Sequence, residues 1–275
     1  MMLSVTPLTG NMLRRCLPLR ARASHKGDYG HVLVVGGDHG MAGAVRLAGE
    51  AAARTGSGLV SIATRRAHAA SITAARAELM CHGVESAHDL RLLLQRASVV
   101  AIGPGLGQSA WACDMLAAVL QTRLPLVVDA DALNLLAQEP IRCDHWVLTP
   151  HPGEAARLLG ITAQQIQADR LHAVQALQQR YGGVCVLKGA GSLVCASDAM
   201  TLCEAGNPGM ASGGMGDVLT GIIAGLLAQG LSLVDAANAG VYIHATAGDR
   251  AAQEGERGLL ASDLLPQLRR LVNPS

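Results

Sequence analysis

From His31 onward, short apolar runs alternate with longer stretches in which apolar residues recur at helical spacing. This is the pattern of parallel strands joined by crossover helices. The runs predict strands over residues 31–35, 59–63, 98–102, 126–129, 146–148 and 184–188. Helices are expected over 42–55, which stops at Gly56, and over 111–121, which stops before Pro125. A third is expected over 162–180: Thr162 and Gln165 form a capping-box pattern, and Ile166, Leu171, Val174 and Leu177 share one face before Gly182-Gly183. After Lys188 the rhythm shortens to 192–196 and 200–203 around Ser197-Asp198-Ala199, which reads as a hairpin. The remainder reads as helices only, over 217–229, 233–254 and 262–271, the last capped by Ser262. Residues 1–25 are expected to be a flexible extension and 26–275 a single domain.

Composition narrows the picture. Hydrophobic residues make up 50% of the chain and charged ones 16%, enough apolar surface to cover a sheet on both faces. Phe is absent and aromatics total 2%, so the core must be built from Ala, Val, Leu and Ile, with 32 glycines for close packing and turns. A formal net charge of +1, without clustered Lys and Arg between aromatics, argues against a nucleic-acid surface. Seven cysteines with no Cys-x-x-Cys pair read as small buried hydrophobes in a reducing compartment, not as a zinc site. No run approaches the ~18 apolar residues of a membrane span. The amino terminus also lacks the apolar core of a signal peptide, so a soluble, cytoplasmic protein is expected.

The densest chemistry is Asn207-Pro208-Gly209-Met210-Ala211-Ser212-Gly213-Gly214-Met215-Gly216-Asp217, running into an apolar helical pattern. Gly213, Gly214 and Gly216 lack the Cβ atoms that would hold an anion off the backbone, and first-turn amides have no partner within the helix. A carboxylate at Asp217 would repel an arriving phosphate unless a magnesium ion or a proton in transit intervened. That points to phosphoryl transfer with Asp217 as general base. An acid that merely interacts with the helix dipole would fit an isolated Gly-Asp start, but the glycine density and the motifs upstream favour chemistry.

Five further loops follow predicted strands. Gly36-Gly37-Asp38-His39-Gly40-Met41-Ala42-Gly43 has the outline of a dinucleotide loop, but Ala63-Thr64-Arg65-Arg66 stands where a ribose-binding acid belongs. Those arginines suit a 2′-phosphate, which keeps an NADP-binding oxidoreductase or a nucleotide sensor as an alternative. Gly103-Pro104-Gly105-Leu106-Gly107 is either a crevice loop or a plain turn. Asp129 and Asp131 flank Ala130 on one side of an extended chain, suited to a magnesium-bound water or a ribose hydroxyl; alternatively Asp131 caps a helix and Asp129 is solvated. His151, between Pro150 and Pro152, is either pre-oriented toward a ligand or an ordinary polar residue. Lys188-Gly189-Ala190-Gly191-Ser192 offers a cation and bare backbone to a nucleotide, or is a turn with a solvated lysine.

Taken in order, Lys26-Gly27-Asp28-Tyr29-Gly30, Gly36-Gly37, the 103–107 loop, Val128-Asp129-Ala130-Asp131-Ala132-Leu133, the 149–154 loop, Lys188-Gly189 and the 207–217 segment resemble the NAD(P)H-hydrate dehydratase family. The resemblance runs from about Lys26 to the carboxyl terminus. It implies an α/β, ribokinase-like three-layer fold with a mainly parallel central sheet and helices on both faces. The implied activity is that of a hydro-lyase: ADP-dependent dehydration of (S)-NADHX and (S)-NADPHX to NADH and NADPH, releasing AMP and phosphate, with ATP as donor in eukaryotic members. It further implies Mg2+, a homo-oligomer with a tetramer favoured, and an epimerase domain or protein as partner. Carried over by motif, Ala42, Gly105, Gly107, His151, Glu154 and Asp217 would contact the hydrate. Lys188, Gly189, Ala190, Gly191 and Ser192 would hold the nucleotide with Asn207, Pro208, Gly209, Gly213, Gly214 and Gly216, the last nearest its phosphates. Kinases of this fold often carry Asn-x-x-Glu near magnesium; this chain has His151-Pro152-Gly153-Glu154, which leaves the metal ligands unassigned. A small-molecule kinase with the same anion hole and base is the alternative within the fold.

Overall fold

Alternate residues of a strand face opposite sides of a sheet, and here each side meets its own apolar layer. Val32 and Val34 pack into one, Leu33 and Val35 into the other. The computed structural model describes residues 3–273. Its strands are β1 (Val5–Pro7), β2 (His31–Val35), β3 (Leu59–Thr64), β4 (Met80–Gly83), β5 (Val99–Ile102), β6 (Leu126–Val128), β7 (Trp146–Leu148), β8 (Val184–Leu187), β9 (Ser192–Cys195) and β10 (Met200–Cys203). They form one sheet in the order β1-β10-β9-β8-β7-β6-β5-β2-β3-β4. Every pairing is parallel except those of β9 with β8 and β10, which make the expected hairpin region.

The helices are α1 (Asn11–Cys16), α2 (Ala42–Thr55), α3 (Arg66–Ala75), α4 (Ala87–Leu94), α5 (Ala110–Leu120), α6 (Ala130–Gln138), α7 (Pro152–Leu159), α8 (Ala163–Ala168), α9 (Arg170–Tyr181), α10 (Met215–Ala228), α11 (Leu233–Ala251) and α12 (Ala261–Leu271). Helices α2, α10, α11 and α12 cover one face of the sheet, and α4 to α9 cover the other. In a core without Phe, closeness replaces bulk. A methyl group on Gly221 would land on the Ala48 carbonyl oxygen, so the backbones of α10 and α2 touch. Among the described residues no helix is long and apolar enough to cross a membrane.

Several expectations are corrected. The helix expected over 162–180 is two helices, because Asp169 leaves helical geometry (φ −144°, ψ 78°) and accepts the His172 amide at 3.0 Å to start α9. Helix α12 begins one residue before Ser262, and its leading amide, Leu260 N, donates to Asp263 at 2.9 Å. Helix α10 begins at Met215, which makes Asp217 a first-turn residue. The segment expected to be a flexible extension contributes an edge strand, β1, parallel to β10, and Leu13 of α1 is buried. Of the cysteines, three are buried and Cys113 is exposed; all are free.

The chain runs from β2 to β3 on one side and returns to place β5 on the other. The carboxyl ends of β2 and β5 therefore flank a switch point, where open α/β sheets bind ligands.

Candidate active site

The site is built at the carboxyl ends of β2, β5, β6, β7 and β8, together with the amino end of α10. Gly214, with φ +90°, ends the 207–214 loop and starts α10 with no side-chain cap. The first-turn amides are thus left for a ligand. A Cβ on Gly216 would sit 3.2 Å from Lys188 Nζ and 3.4 Å from Asp129 Oδ2. Only glycine keeps this amide open beside those charges.

Lys188 and Asp129 form a buried ion pair, Nζ to Oδ1 at 2.7 Å, with Asp129 only 1% exposed. Thr220 Oγ1 of α10 donates to Asp129 Oδ2 at 2.8 Å. Burial opposes charge on both partners, but Lys188 holds the Asp129 carboxyl below its usual range, and Asp129 and Glu154 hold the lysine above its own. The pair therefore remains ionised. Asp129 is neither solvated nor open to a ligand, and this corrects both readings of its place beside Asp131. Asp131 accepts the Gly107 amide at 2.8 Å.

His151 caps α7: its Nδ1 accepts the Gly153 and Glu154 amides at 2.9 and 3.4 Å, while Glu154 Oε2 accepts the His151 amide at 2.7 Å. With Nδ1 accepting, the ring proton resides on Nε2, 3.3 Å from Glu154 Oε1. Burial, reinforced by the Lys188 charge, pushes the imidazole down, so it is neutral. Glu154 is buried, and burial raises its carboxyl against the attraction of Lys188, 3.8 Å away.

Asp217 differs from these carboxylates. Among the described residues it has no side-chain hydrogen bond or ion pair. Burial first, then the Asp129 charge, pushes it up to about 7 against the pull of Lys188. It is an unpaired carboxyl that titrates near neutrality beside the open first-turn amides of α10.

On the opposite wall, the Gly37 amide donates to Pro104 O at 2.9 Å and the Asp38 amide to Gly105 O at 2.6 Å, locking the two glycine loops together. Gly105 lies against Met41, next to Ala42 at the start of α2. The structure thus brings Ala42, Gly105, Gly107, His151, Glu154, Lys188, Gly214, Gly216 and Asp217 to one edge of the sheet. Asn207 is engaged within its own loop, accepting the Gly209 amide and donating to Asp249, each at 3.0 Å; Pro208 opens the short turn between them. Nothing lies near the bare Cα of Gly213.

Arg65, offered by the sequence to a 2′-phosphate, is instead bound to Asp38 at 2.7 Å and Glu85 at 2.9 Å and stacked on Trp111. This takes Arg65, though not the exposed Arg66, out of that reading. Arg170 was missed. Its guanidinium donates to Leu187 O (3.3 Å) and Gly191 O (3.0 Å) and lies beside Gly189, bracing the turn through Ala190 to Ser192. No local pattern singles it out, because its targets are 17 and 21 residues away.

Fold and site together define a ribokinase-like α/β protein whose α10 start, with open amides, lies beside a carboxyl raised toward neutrality. Ribokinase from Arabidopsis thaliana shares the fold alone, with 13% identity and a TM-score of 0.59 over 90% of this chain and 99% of that one. The NAD(P)H-hydrate dehydratase family model matches residues 32–270, and the chain belongs to that family. It is 62% identical over 260 residues to the bifunctional NAD(P)H-hydrate repair enzyme of Coxiella burnetii, covering 94% of this chain and 53% of the relative. It is 41% identical to the ADP-dependent (S)-NAD(P)H-hydrate dehydratase of Neisseria meningitidis over 92% of this chain and 88% of the relative. The ADP/ATP-dependent NAD(P)H-hydrate dehydratase of Bacillus subtilis, co-crystallized with ATP/Mg2+, superposes with a TM-score of 0.86 at 31% identity, covering 96% and 97% of the two chains. The chain spans about half the length of the bifunctional relatives it matches.

Proposed function

We propose that the chain catalyses ADP-dependent dehydration of (S)-NADHX and (S)-NADPHX, releasing NADH or NADPH, AMP and phosphate. The observation that carries this is Asp217: an unpaired carboxylate raised to about 7, inside a helix start with open amides, next to a charged lysine. Asp217 takes the proton of the C6 hydroxyl as its oxygen bonds to the terminal phosphorus of ADP and the bond to AMP breaks. The first-turn amides of α10 stabilise the charge that develops. Hydroxide, a poor leaving group, becomes phosphate. The ring-nitrogen lone pair then expels phosphate from C6, and loss of a C5 proton restores the dihydronicotinamide.

In this reading the loops of Ala42, Gly105 and Gly107, with His151 and Glu154, hold the hydrate. Lys188 and the 189–192 turn hold the nucleotide. Asp129 is committed to Lys188 and Thr220, and no group of three His, Cys, Asp or Glu among the described residues is placed to hold a metal. Magnesium therefore fits as an ion carried by the nucleotide phosphates and water, neutralising their charge, with no resident cage. The enzyme is expected as a cytoplasmic homo-oligomer, and light scattering showing a monomer at micromolar concentration would count against the assembly. An epimerase domain or protein is the expected partner in this reading.

The test incubates purified chain with (S)-hydrate and ADP, and follows absorbance of the reduced cofactor together with AMP and phosphate. Stoichiometric release of all three is expected. Loss of water with no nucleotide consumed would remove the mechanism, and accumulation of a stable phosphorylated alcohol would show a kinase instead.

A further inference from the structure

Arg170, the first residue of α9, reaches across to the turn that joins β8 to β9. Its Nη2 donates to Leu187 O at 3.3 Å, where the chain leaves β8, and to Gly191 O at 3.0 Å, where it enters β9. Both terminal nitrogens lie 3.5 Å from Lys188 O between them, and Nη1 also donates to Gln167 Oε1 at 3.1 Å. Among the described residues the guanidinium forms no ion pair, so its donors go chiefly to the main chain of the turn. Gly189 leaves room for it: with φ +143°, a Cβ there would stand 2.7 Å from Nη1.

A trans peptide unit is planar, and its carbonyl and amide point in opposite directions. The unit between Leu187 and Lys188 is tied at both ends, its carbonyl to Arg170 and its amide to Pro150 O at 2.9 Å. The next unit is tied at one end only. Lys188 O faces Arg170, while the Gly189 amide has no partner among the described residues and sits at an exposed position. A planar fork of donors can gather carbonyls from both sides of a turn, which the compact ammonium of a lysine cannot. We propose that Arg170 is a positioning residue for the nucleoside diphosphate: its guanidinium clamps Leu187 O, Lys188 O and Gly191 O to one side of the turn, so that the Gly189 amide is presented to the ligand on the other. The inference rests on the reading that the 188–192 turn holds the nucleotide. A turn fixed before binding loses less freedom when the ligand arrives, so the clamp acts on nucleotide affinity and leaves the hydrate loops and Asp217 as they are.

The experiment compares Arg170→Met and Arg170→Lys with wild type in the full chain. Methionine keeps the apolar stem and removes every donor, whereas lysine keeps the charge but replaces the fork with one nitrogen. By titration calorimetry the Kd for ADP should rise about tenfold to a hundredfold in Arg170→Met and about threefold to tenfold in Arg170→Lys. In the dehydration assay the KM for ADP should follow, with kcat at saturating ADP and the KM for the hydrate within about twofold of wild type. A further readout needs no ligand: the Lys188 amide, bonded to Pro150 O, should exchange its hydrogen faster in Arg170→Met than in wild type. Unaltered ADP affinity or unaltered Lys188 exchange in Arg170→Met would overturn the proposal. So would an Arg170→Lys variant that binds ADP as tightly as wild type, because charge alone would then suffice; this arm decides even if the Met variant does not fold. Equal losses in the KM for ADP and for the hydrate would also overturn it, since they mark a general distortion of the crevice. If wild type binds ADP without dehydrating the hydrate, the proposed function falls while the Kd comparison still tests the clamp. If wild type turns over and Arg170→Met binds ADP normally, only the clamp falls.

Discussion

Replacing Asp217 by asparagine should make the protein more stable and nearly inactive, with the size of the stability gain set by pH. The carboxyl is raised from the usual 3.8 to about 7, chiefly by burial and then by Asp129. Between those two values the native state holds a proton that the unfolded chain has released, so stability falls as pH rises from about 4 and levels off above about 7. At about 1.4 kcal/mol per pH unit the full interval corresponds to about 4 kcal/mol, which solvent screening of the partly open carboxyl reduces to about 2–3 kcal/mol. Asparagine keeps the shape and has no charge to bury, so it should recover that amount at pH 8 and only about 1 kcal/mol at pH 5. For a chain of this length the pH 8 gain corresponds to a rise of about 5–10 °C in melting temperature. Turnover should fall by about 10² to 10⁴ with nucleotide affinity little changed. In the wild type, turnover should fall on the acid side of about pH 7 as the base becomes protonated. Calorimetry at the two pH values and initial rates across the range check both halves. A variant no more stable at pH 8 than wild type would show that the carboxylate is not held unpaired, and near-normal turnover would refute its role as base.

Three other perturbations address the rest of the site. Gly216→Ala should weaken ADP binding and turnover together, because the new methyl meets Lys188 Nζ and Asp129 Oδ2 at the anion hole; titration calorimetry with ADP reads this directly. Lys188→Met should lower stability by about 3–5 kcal/mol, since it leaves Asp129 buried and unpaired; the loss should be largest near pH 7 and shrink in acid, as urea melts at pH 7 and pH 4 can show. Gly221→Ala should cost about 1–3 kcal/mol by forcing α10 off α2, with a reduced urea midpoint as its measure.

The parts of the molecule legible in the sequence are those where local pattern and tertiary role coincide. Buried parallel strands such as β2 and β5 are continuous apolar runs, and the start of α10 carries Gly213, Gly214 and Gly216 within four residues. What the sequence hid depends on distant partners. All three residues of β1 are exposed, so it has no apolar alternation and is a strand only because β10 lies beside it. Asp129 and Lys188 were both visible as strand-end charges, but their pairing across 59 residues was not, and it takes Asp129 out of ligand binding. The break at Asp169 is invisible to periodicity because both flanking helices present apolar residues to the same layer.

The bare seam between α10 and α2 also acts as a fixed gauge. The two helices begin at the same edge of the crevice, α2 next to the loop proposed for the hydrate and α10 with the loop proposed for the phosphoryl donor. Their backbones meet at Gly221 and Gly225, and where Gly214 would otherwise carry a side chain, Leu47 of α2 fills the space. At Gly221 and Gly225 the backbone of α2 stands where a Cβ would be, so the helices cannot approach further there. Backbone contact therefore sets the spacing between the two helix starts, and with it the distance between the loop proposed to hold the hydrate and the loop proposed to hold the phosphoryl donor.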